Sequence, residues 1–125
     1  VQTCALPICG LAEMSRLVEA CGGTAMTCLG LAGVGDLIAT CTSEHSRNRT
    51  FGYRLATGTT LEQYREETHM VVEGALACKT IDFLAKAHQV ELPITEMVRS
   101  VLWEQVDFHE AADALFERSL KPEFY

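Results

Sequence analysis

The sequence predicts an all-α domain, and three observations lead to this prediction. Apolar residues recur at three- and four-residue intervals along most of the chain, which is the period of an amphipathic helix. Capping residues or Pro precede several of these runs, and Gly residues follow others. The one candidate strand, Met70 to Val72, is too short to found a sheet. We therefore expect roughly six to eight helices and no sheet.

Length and charge limit the possible functions. The 125 residues can bury one core, although a fragment of a longer protein would look the same. Seventeen acidic against ten basic residues give a net charge of −7, which repels nucleic acid and anionic membrane surfaces. No apolar run is long enough to span a membrane, and the sequence shows no basic-then-apolar pattern of the kind expected of a signal segment. We expect no nucleic-acid partner and no membrane insertion.

The cysteines and histidines do not predict a metal site. The six cysteines form no C-x-x-C pair and have no His spacing suited to zinc. Cys21, Cys28 and Cys41 lie in apolar surroundings and are expected to pack as small core residues. This usage favours a reducing cytoplasm. The four histidines are scattered, and each is expected at the surface.

In chain order, the first nine residues, VQTCALPIC, show no helical period and contain Pro7. We expect residues 1–9 to be a frayed or foreign end, and residues 10–125 to form the helical domain. The first helix should end at Gly22 and Gly23, and Thr24 restarts a short helical piece. The apolar stripe of that first helix contains Leu11, Met14, Leu17, Val18 and Cys21.

Three glycines, Gly30, Gly33 and Gly35, come before the next helix. Their spacing is not that of a dinucleotide-binding loop, and no strand precedes them. They are expected to permit sharp turns or a close approach of helices. The helix after them carries the stripe Val34, Leu37, Ile38 and Cys41.

The second half of the chain contains clear helix starts. Thr60 with Gln63 forms a capping box, and Asp107 with Glu110 forms another. Pro93 suits the first turn of a helix that carries Ile94, Met97, Val98, Val101 and Leu102. Glu73 and Gly74 open a long helix, whose apolar side should contain Leu76, Thr80, Phe83, Leu84 and Ala87. Trp103 is expected to pack, the last helix should carry Phe108, Ala112, Leu115 and Phe116, and LKPEFY is expected to be a tail.

A candidate anion site lies at Ser46, Arg47 and Asn48. A helix is expected to begin near Ser46 and run towards Gly58, and its free N–H groups and positive dipole end attract an anion. A guanidinium can hold phosphate oxygens with two parallel hydrogen bonds. Phosphate fits this pattern best, and a solvated basic face on one helix is the alternative.

Helical periodicity separates two arginines of this helix. At about 100° per residue from Arg47, Phe51 falls at about 40° and Leu55 at about 80°, with Asn48 at about 100°. Arg47 and Asn48 therefore flank the apolar face. Arg49 falls at about 200° and is expected to point to water.

Two isolated acids have an ordinary explanation. Asp36 and Glu73 each stand in the first turn of an expected helix, where a carboxylate complements the helix dipole. No nucleophile with a paired base and no complete catalytic set is present. The residues alone therefore support an all-helical domain with an anion site, and no particular reaction.

The sequence also resembles a known family. The segments GLAEMSRL, GLAGVGDLIATCTSEHSRNRTFG, MVVEG, ELPIT and LKPE resemble, in this order, the carboxy-terminal domain of bacterial-type NAD(P)-dependent glycerol-3-phosphate dehydrogenase. The resemblance covers Gly10 to about Glu123. It implies a multi-helix domain of a two-domain enzyme of the 6-phosphogluconate-dehydrogenase type, whose Rossmann half is absent from this chain.

The resemblance implies a reaction. The family reversibly reduces dihydroxyacetone phosphate to sn-glycerol 3-phosphate with hydride from NADH or NADPH, for phospholipid synthesis. It also implies that the absent half binds most of the NAD or NADP, and it suggests a cytoplasmic homodimer. A proton-transferring lysine should lie upstream, whereas Lys79, Lys86 and Lys121 all lie downstream of the motif. The isolated chain is therefore expected to be inactive.

The resemblance also assigns residues. Asp36, Ser46, Arg47 and Asn48 match substrate-binding positions, and Arg47, Val71 and Glu73 match positions beside the cofactor. For Asp36 and Glu73 this replaces the first-turn explanation. Ile8 and Cys9 stand where the family has a helical segment with an arginine, so the resemblance does not reach residues 1–9. The alternative function is a non-catalytic helical binding or assembly module with an acidic partner. The SRNR segment argues against the helical domain of a neighbouring dehydrogenase family.

Overall fold

The computed structural model describes residues 2–118, and the side chains of residues 6–118. Within that part of the chain the fold is all helical, with no strand, so the predicted fold class is confirmed. The seven α-helices, in chain order, are α1 (Gln2–Ala20), α2 (Asp36–Thr42), α3 (Arg47–Ala56), α4 (Leu61–Thr68), α5 (Glu73–Ala87), α6 (Pro93–Trp103) and α7 (Phe108–Glu117). A 3₁₀ turn (Ala25–Leu29) and a π-helical turn (Leu31–Gly35) connect α1 to α2. The expected LKPEFY tail lies outside the described residues.

The start of α1 differs from the sequence prediction. The helix begins at Gln2 and includes Pro7, so residues 2–9 are helical although their sequence shows no helical period. Proline removes one N–H donor, and near the beginning of a helix that loss affects the bonds of the first turns only. Whether residues 1–9 are foreign sequence stays a prediction.

The turns before α2 depend on glycine. Gly22 has a φ of 86° just after α1, where an L side chain would be strained, and this agrees with the predicted helix end. Gly33 is buried, and a Cβ there would lie 2.0 Å from the carbonyl oxygen of Cys28. The two helical turns before α2 can therefore pack closely only with glycine at this position, as the predicted role in close approach requires.

The main core cluster joins α3, α4 and the start of α5. Phe51, Tyr64, Val72 and Ala75 are buried together, and Leu55, Leu61 and Leu102 pack against them. The rings of Phe51 and Tyr64 lie 4.9 Å apart at an interplanar angle of 55°, a tilted contact that aromatic pairs favour. This cluster fixes the starts of α3 and α5 relative to each other.

Helix α5 buries a different face from the predicted one. Ala75, Cys78 and Ala85 are buried, whereas the side chains of Leu76 and Phe83 are mostly exposed. Helix α6 packs closely on the small residues: Trp103 Nε1 donates to the Ala75 carbonyl oxygen at 2.9 Å. Two helices can pack this closely only where the facing side chains are small. The sequence prediction looked for large apolar residues at helical spacing, so it did not find this face.

Two cysteine predictions were also wrong. Cys28 is buried as expected, but Cys21 and Cys41 are exposed. Cys21 follows the last residue of α1, and Cys41 is the sixth of the seven residues of α2, so both lie at helix ends. Ile38 of the same predicted stripe is also exposed.

None of the helices in residues 2–118 combines the length and apolar character that crossing a bilayer requires.

Candidate functional site

The start of α3 is capped as the sequence predicts. Ser46 precedes the helix in an extended conformation, and its Oγ accepts a hydrogen bond from the Arg49 N–H at 3.2 Å. Ser43 supports the approach to this cap, because its Oγ accepts from the His45 N–H at 3.2 Å. A capped first turn leaves other N–H groups of α3 without helical partners, and such groups attract anions.

Arg47 and Arg49 occupy different environments. Arg47 Nη2 lies 3.2 Å from Glu73 Oε1, so the two side chains form an ion pair between the first turns of α3 and α5. Their side chains are 54% and 76% exposed, which leaves both within reach of a ligand. Arg49 is exposed and does not line the cleft that Arg47 lines. Of the two arginines, Arg47 therefore lines the cleft and Arg49 does not.

Asn48 joins the same two helices. Its Oδ1 accepts a hydrogen bond from the Gly74 N–H at 3.3 Å. Val72, the residue before α5, provides no side-chain cap for this helix. Asn48 of α3 instead satisfies one free N–H at the start of α5. The N-termini of α3 and α5 are therefore held side by side.

Ser46, Arg47, Asn48 and Glu73 line a cleft with a volume of about 370 Å³. Its walls are the last turn of α2, the turn into α3, and the starts of α3 and α5. The charged and titratable side chains that line the cleft are the guanidinium of Arg47, the imidazole of His45 and the carboxylate of Glu73. The N-termini of α3 and α5, which are the positive ends of their dipoles, also border it. The lining residues are Ala39, Thr40, Ser43, His45, Ser46, Arg47, Asn48 and Glu73.

The remaining sequence-predicted residues, Asp36 and Val71, do not line this cleft. Asp36 is exposed at the start of α2, one helical turn before Ala39 and Thr40. At helical spacing Asp36 shares a face with these two residues, so its carboxylate lies along the same side of α2. Val71 is 53% exposed in the link before α5, two residues from Glu73. The structure thus brings Ser46, Arg47, Asn48 and Glu73 together, with Asp36 and Val71 outside that group.

Sequence reasoning missed several residues of the site, among them His45 and Gly74. His45 lines the cleft, and Gly74 contacts the Asn48 amide. The only sequence signal for His45 is its position directly before the Ser46 cap. Gly74 is part of the MVVEG segment, but its contact with Asn48 was not predictable because the two residues lie 26 positions apart. Within residues 2–118, no group of His, Cys, Asp and Glu side chains could hold a metal ion.

A second, larger cleft of about 850 Å³ lies between the α3–α4 and α6–α7 regions. Apolar side chains such as Leu55, Leu102 and Phe108 form much of its wall. It contains none of the predicted substrate- or cofactor-binding residues. The smaller cleft is therefore the candidate functional site.

Comparison with known proteins identifies the family. The sequence profile described as "NAD-dependent glycerol-3-phosphate dehydrogenase C-terminus" matches residues 3–113. This chain belongs to that family. The match begins inside the segment expected to be foreign, but it does not decide where that segment originates.

Relatives of this dehydrogenase family agree with the assignment. The chain is 49% identical over 114 residues to glycerol-3-phosphate dehydrogenase [NAD(P)+] of Staphylococcus aureus strain USA300, covering 91% of the chain and 34% of the relative. The protein of the same description from strain JH9 is 48% identical over the same coverage. The chain thus spans about a third of the length of the curated relatives it matches.

A solved structure agrees with the fold. The crystal structure of glycerol-3-phosphate dehydrogenase from Coxiella burnetii matches with a TM-score of 0.87 and 40% sequence identity. The match covers 92% of this chain and 35% of the solved one. The all-helical arrangement is therefore that of the carboxy-terminal part of this enzyme family.

Proposed function

We propose that this chain is the substrate-binding domain of a glycerol-3-phosphate dehydrogenase. The whole enzyme would reversibly reduce dihydroxyacetone phosphate to sn-glycerol 3-phosphate with NADH or NADPH. It would act in the cytoplasm as a homodimer and supply sn-glycerol 3-phosphate for phospholipid synthesis. The observation that carries this function is the cleft in which Arg47 lies beside two helix N-termini.

The anionic end of the substrate is the best match for these groups. In the proposed complex the Arg47 guanidinium and the free N–H groups after Ser46 hold the phosphate oxygens. The Asn48 side chain and, farther along α2, Asp36 contact the hydroxyl or carbonyl end. Holding both ends fixes the orientation of the three-carbon substrate, which is the main contribution a binding domain makes to the reaction.

Glu73 and Val71 face the proposed cofactor side. Both are exposed, so neither is committed to the core, and a nicotinamide cofactor could contact them without unfolding the start of α5. When bound, the cofactor supplies the hydride. The residues of this chain orient the substrate, and Glu73 also balances the charge of Arg47 when no anion is present.

Isothermal titration calorimetry with sn-glycerol 3-phosphate tests the binding function. Arg47→Ala should weaken binding by about 10- to 100-fold, because a charged hydrogen-bond donor to the phosphate is lost. Arg49→Ala is the matched control, since it removes the same charge from the same helix outside the cleft and should change binding little. Glycerol, which lacks the phosphate, should not bind measurably.

The outcomes separate two classes of function. Equal losses in the two arginine variants would contradict a defined pocket and would favour a diffuse basic patch that meets an acidic partner peptide. Cofactor-dependent reduction of dihydroxyacetone phosphate by the 125-residue chain alone would contradict the expectation that this chain is inactive by itself.

A further inference from the structure

The contact between Asn48 and Gly74 controls the orientation of the Asn48 amide. The Gly74 N–H is a donor, and only the oxygen of a carboxamide can accept from it. The 3.3 Å bond from Gly74 N therefore fixes Oδ1 towards α5. The two N–H donors of Nδ2 lie on the other arm of the amide and remain for the cleft that Asn48 lines.

The missing side chain at position 74 is part of the same contact. A Cβ on Gly74 would lie 3.0 Å from Asn48 Oδ1, 3.3 Å from Cγ and 3.5 Å from Nδ2. The first two distances are shorter than ordinary van der Waals contacts, so with an alanine at position 74 the Asn48 amide would have to shift by a few tenths of an ångström. Glycine is otherwise an unfavourable residue in a helix. Its presence in the first turn of α5 therefore needs a local reason, and the Asn48 amide provides one.

We propose that Gly74 is a positioning residue for the anion site: its N–H and its lack of a side chain hold the Asn48 amide so that Nδ2 donates to the ligand. Gly74 itself does not touch the ligand. This role rests on the proposed function, because it names the residue that orients a donor of the same cleft.

Three variants test this role by calorimetric titration with sn-glycerol 3-phosphate and by thermal unfolding. Gly74→Ala should weaken binding about five- to tenfold, the value of one misdirected hydrogen bond, while the melting temperature stays equal or rises. Gly52→Ala is the matched control, because Gly52 lies in α3 and a Cβ there meets nothing within 4 Å. It should leave binding unchanged.

Asn48→Asp separates the two arms of the amide. The carboxylate still accepts from the Gly74 N–H, so the junction of α3 and α5 and the melting temperature should be retained. The Nδ2 donors are replaced by an anionic oxygen, so binding of sn-glycerol 3-phosphate should fall by at least about tenfold. A lower melting temperature together with unchanged binding would overturn the division of roles between Oδ1 and Nδ2.

The NMR signals of the Asn48 side-chain NH₂ give a readout that does not need a ligand. They should shift in Gly74→Ala and stay in place in Gly52→Ala. Unchanged signals and unchanged affinity in Gly74→Ala would overturn the positioning role. If the unaltered chain does not bind sn-glycerol 3-phosphate, the proposed function fails. The NH₂ signals then still decide whether Gly74 orients Asn48.

Discussion

At the scale of single residues, the N–H of Arg47 that pairs with Glu73 cannot be donated fully to a ligand anion at the same time. The 3.2 Å contact between Arg47 Nη2 and Glu73 Oε1 places a carboxylate where a phosphate oxygen of the proposed ligand would bind. If the proposed function holds, Glu73 therefore competes with the ligand for Arg47. The pair is exposed, and exposed ion pairs contribute only about 0.2–1 kcal/mol, so a phosphate group can displace it.

Removing that competitor should strengthen binding of inorganic phosphate to the chain. Glu73→Gln is expected to tighten binding by up to about fivefold, because Arg47 no longer has to leave a carboxylate. Glu44→Gln, an exposed acid that does not line the cleft, provides the control for the change in net charge. Calorimetry measures both. Equal tightening in the two variants would contradict direct competition and indicate a long-range charge effect.

Part of the site was predictable residue by residue. The Ser46 cap and the separation of Arg47 from Arg49 follow from capping chemistry and from helical angles, which are local properties. The ion pair with Glu73 and the bond to Gly74 were not predictable from the residues, because they depend on how α3 and α5 pack. The family resemblance indicated Glu73, but it did not show which residue Glu73 contacts.

At the scale of helices, the capping box at the start of α4 is complete. Thr60 Oγ1 accepts from the Gln63 N–H at 3.2 Å, and Gln63 Oε1 accepts from the Thr60 N–H at 2.9 Å. Helix α4 has only eight residues and contributes Tyr64 to the core. So short a helix depends on its cap and its packing more than on its intrinsic helix propensity.

Thr60→Ala should therefore lower the free energy of unfolding by about 1 kcal/mol, the usual value of a lost N-cap. Urea denaturation at neutral pH measures this loss. Thr80→Ala is the control, because Thr80 is exposed within α5 and caps no helix. It should change stability by less than about 0.5 kcal/mol. Similar losses in both variants would show that the cap of α4 contributes nothing specific.

Helix starts were predicted better than buried faces. Thr60, Pro93 and Asp107 mark starts that the structure contains, since a cap needs only residues adjacent in sequence. The prediction of the buried face of α5 was wrong, because helix α6 packs on the side of α5 that carries the buried residues Ala75 and Cys78. A helix face is chosen by the partner that packs on it, and the sequence period alone does not name that partner.

At the scale of the whole molecule, Glu13 connects α1 to the start of α6. Its buried carboxylate accepts from the Ile94 N–H at 2.6 Å and from the Thr95 N–H and hydroxyl at 3.2 Å. It thus caps α6, whose own N-cap Leu92 provides no side-chain bond. Desolvation raises the pKa of Glu13, although the bonds from α6 lower it in part.

The raised pKa gives a signed pH dependence. A carboxyl group whose pKa is higher in the folded protein binds its proton more tightly there, so protonation stabilises the fold. This contribution is fully present below the unfolded-state pKa and is lost as the pH rises through the raised folded-state value. The free energy of unfolding of the unaltered chain, minus that of Glu13→Gln, should therefore increase as the pH falls from 8 to about 5.

Urea denaturation across that pH range measures the difference, and subtraction removes the titration of other groups that the two proteins share. At pH 8, Glu13→Gln should itself cost roughly 1–3 kcal/mol, because an amide offers one acceptor oxygen where the carboxylate offers two. A difference that stays constant with pH would contradict the role of Glu13 desolvation.

The fold class was predictable because helical period and caps recur along the sequence. The link from Glu13 to α6 was not, because it joins residues 81 and 82 positions apart, and no local pattern records such a pair. The family match agrees with the fold as a whole. It covers about a third of the relatives' length, so the complete reaction remains the proposal stated above.

The single tryptophan provides an intrinsic optical probe. Trp103 donates to the carbonyl oxygen of Ala75, the residue after Gly74, and the Lys79 ammonium lies 3.6 Å from the centre of its ring. Indole emission responds to polarity and to nearby charge. Its wavelength and intensity should therefore follow the docking of α6 on α5 in real time, without a dye or an added fluorophore.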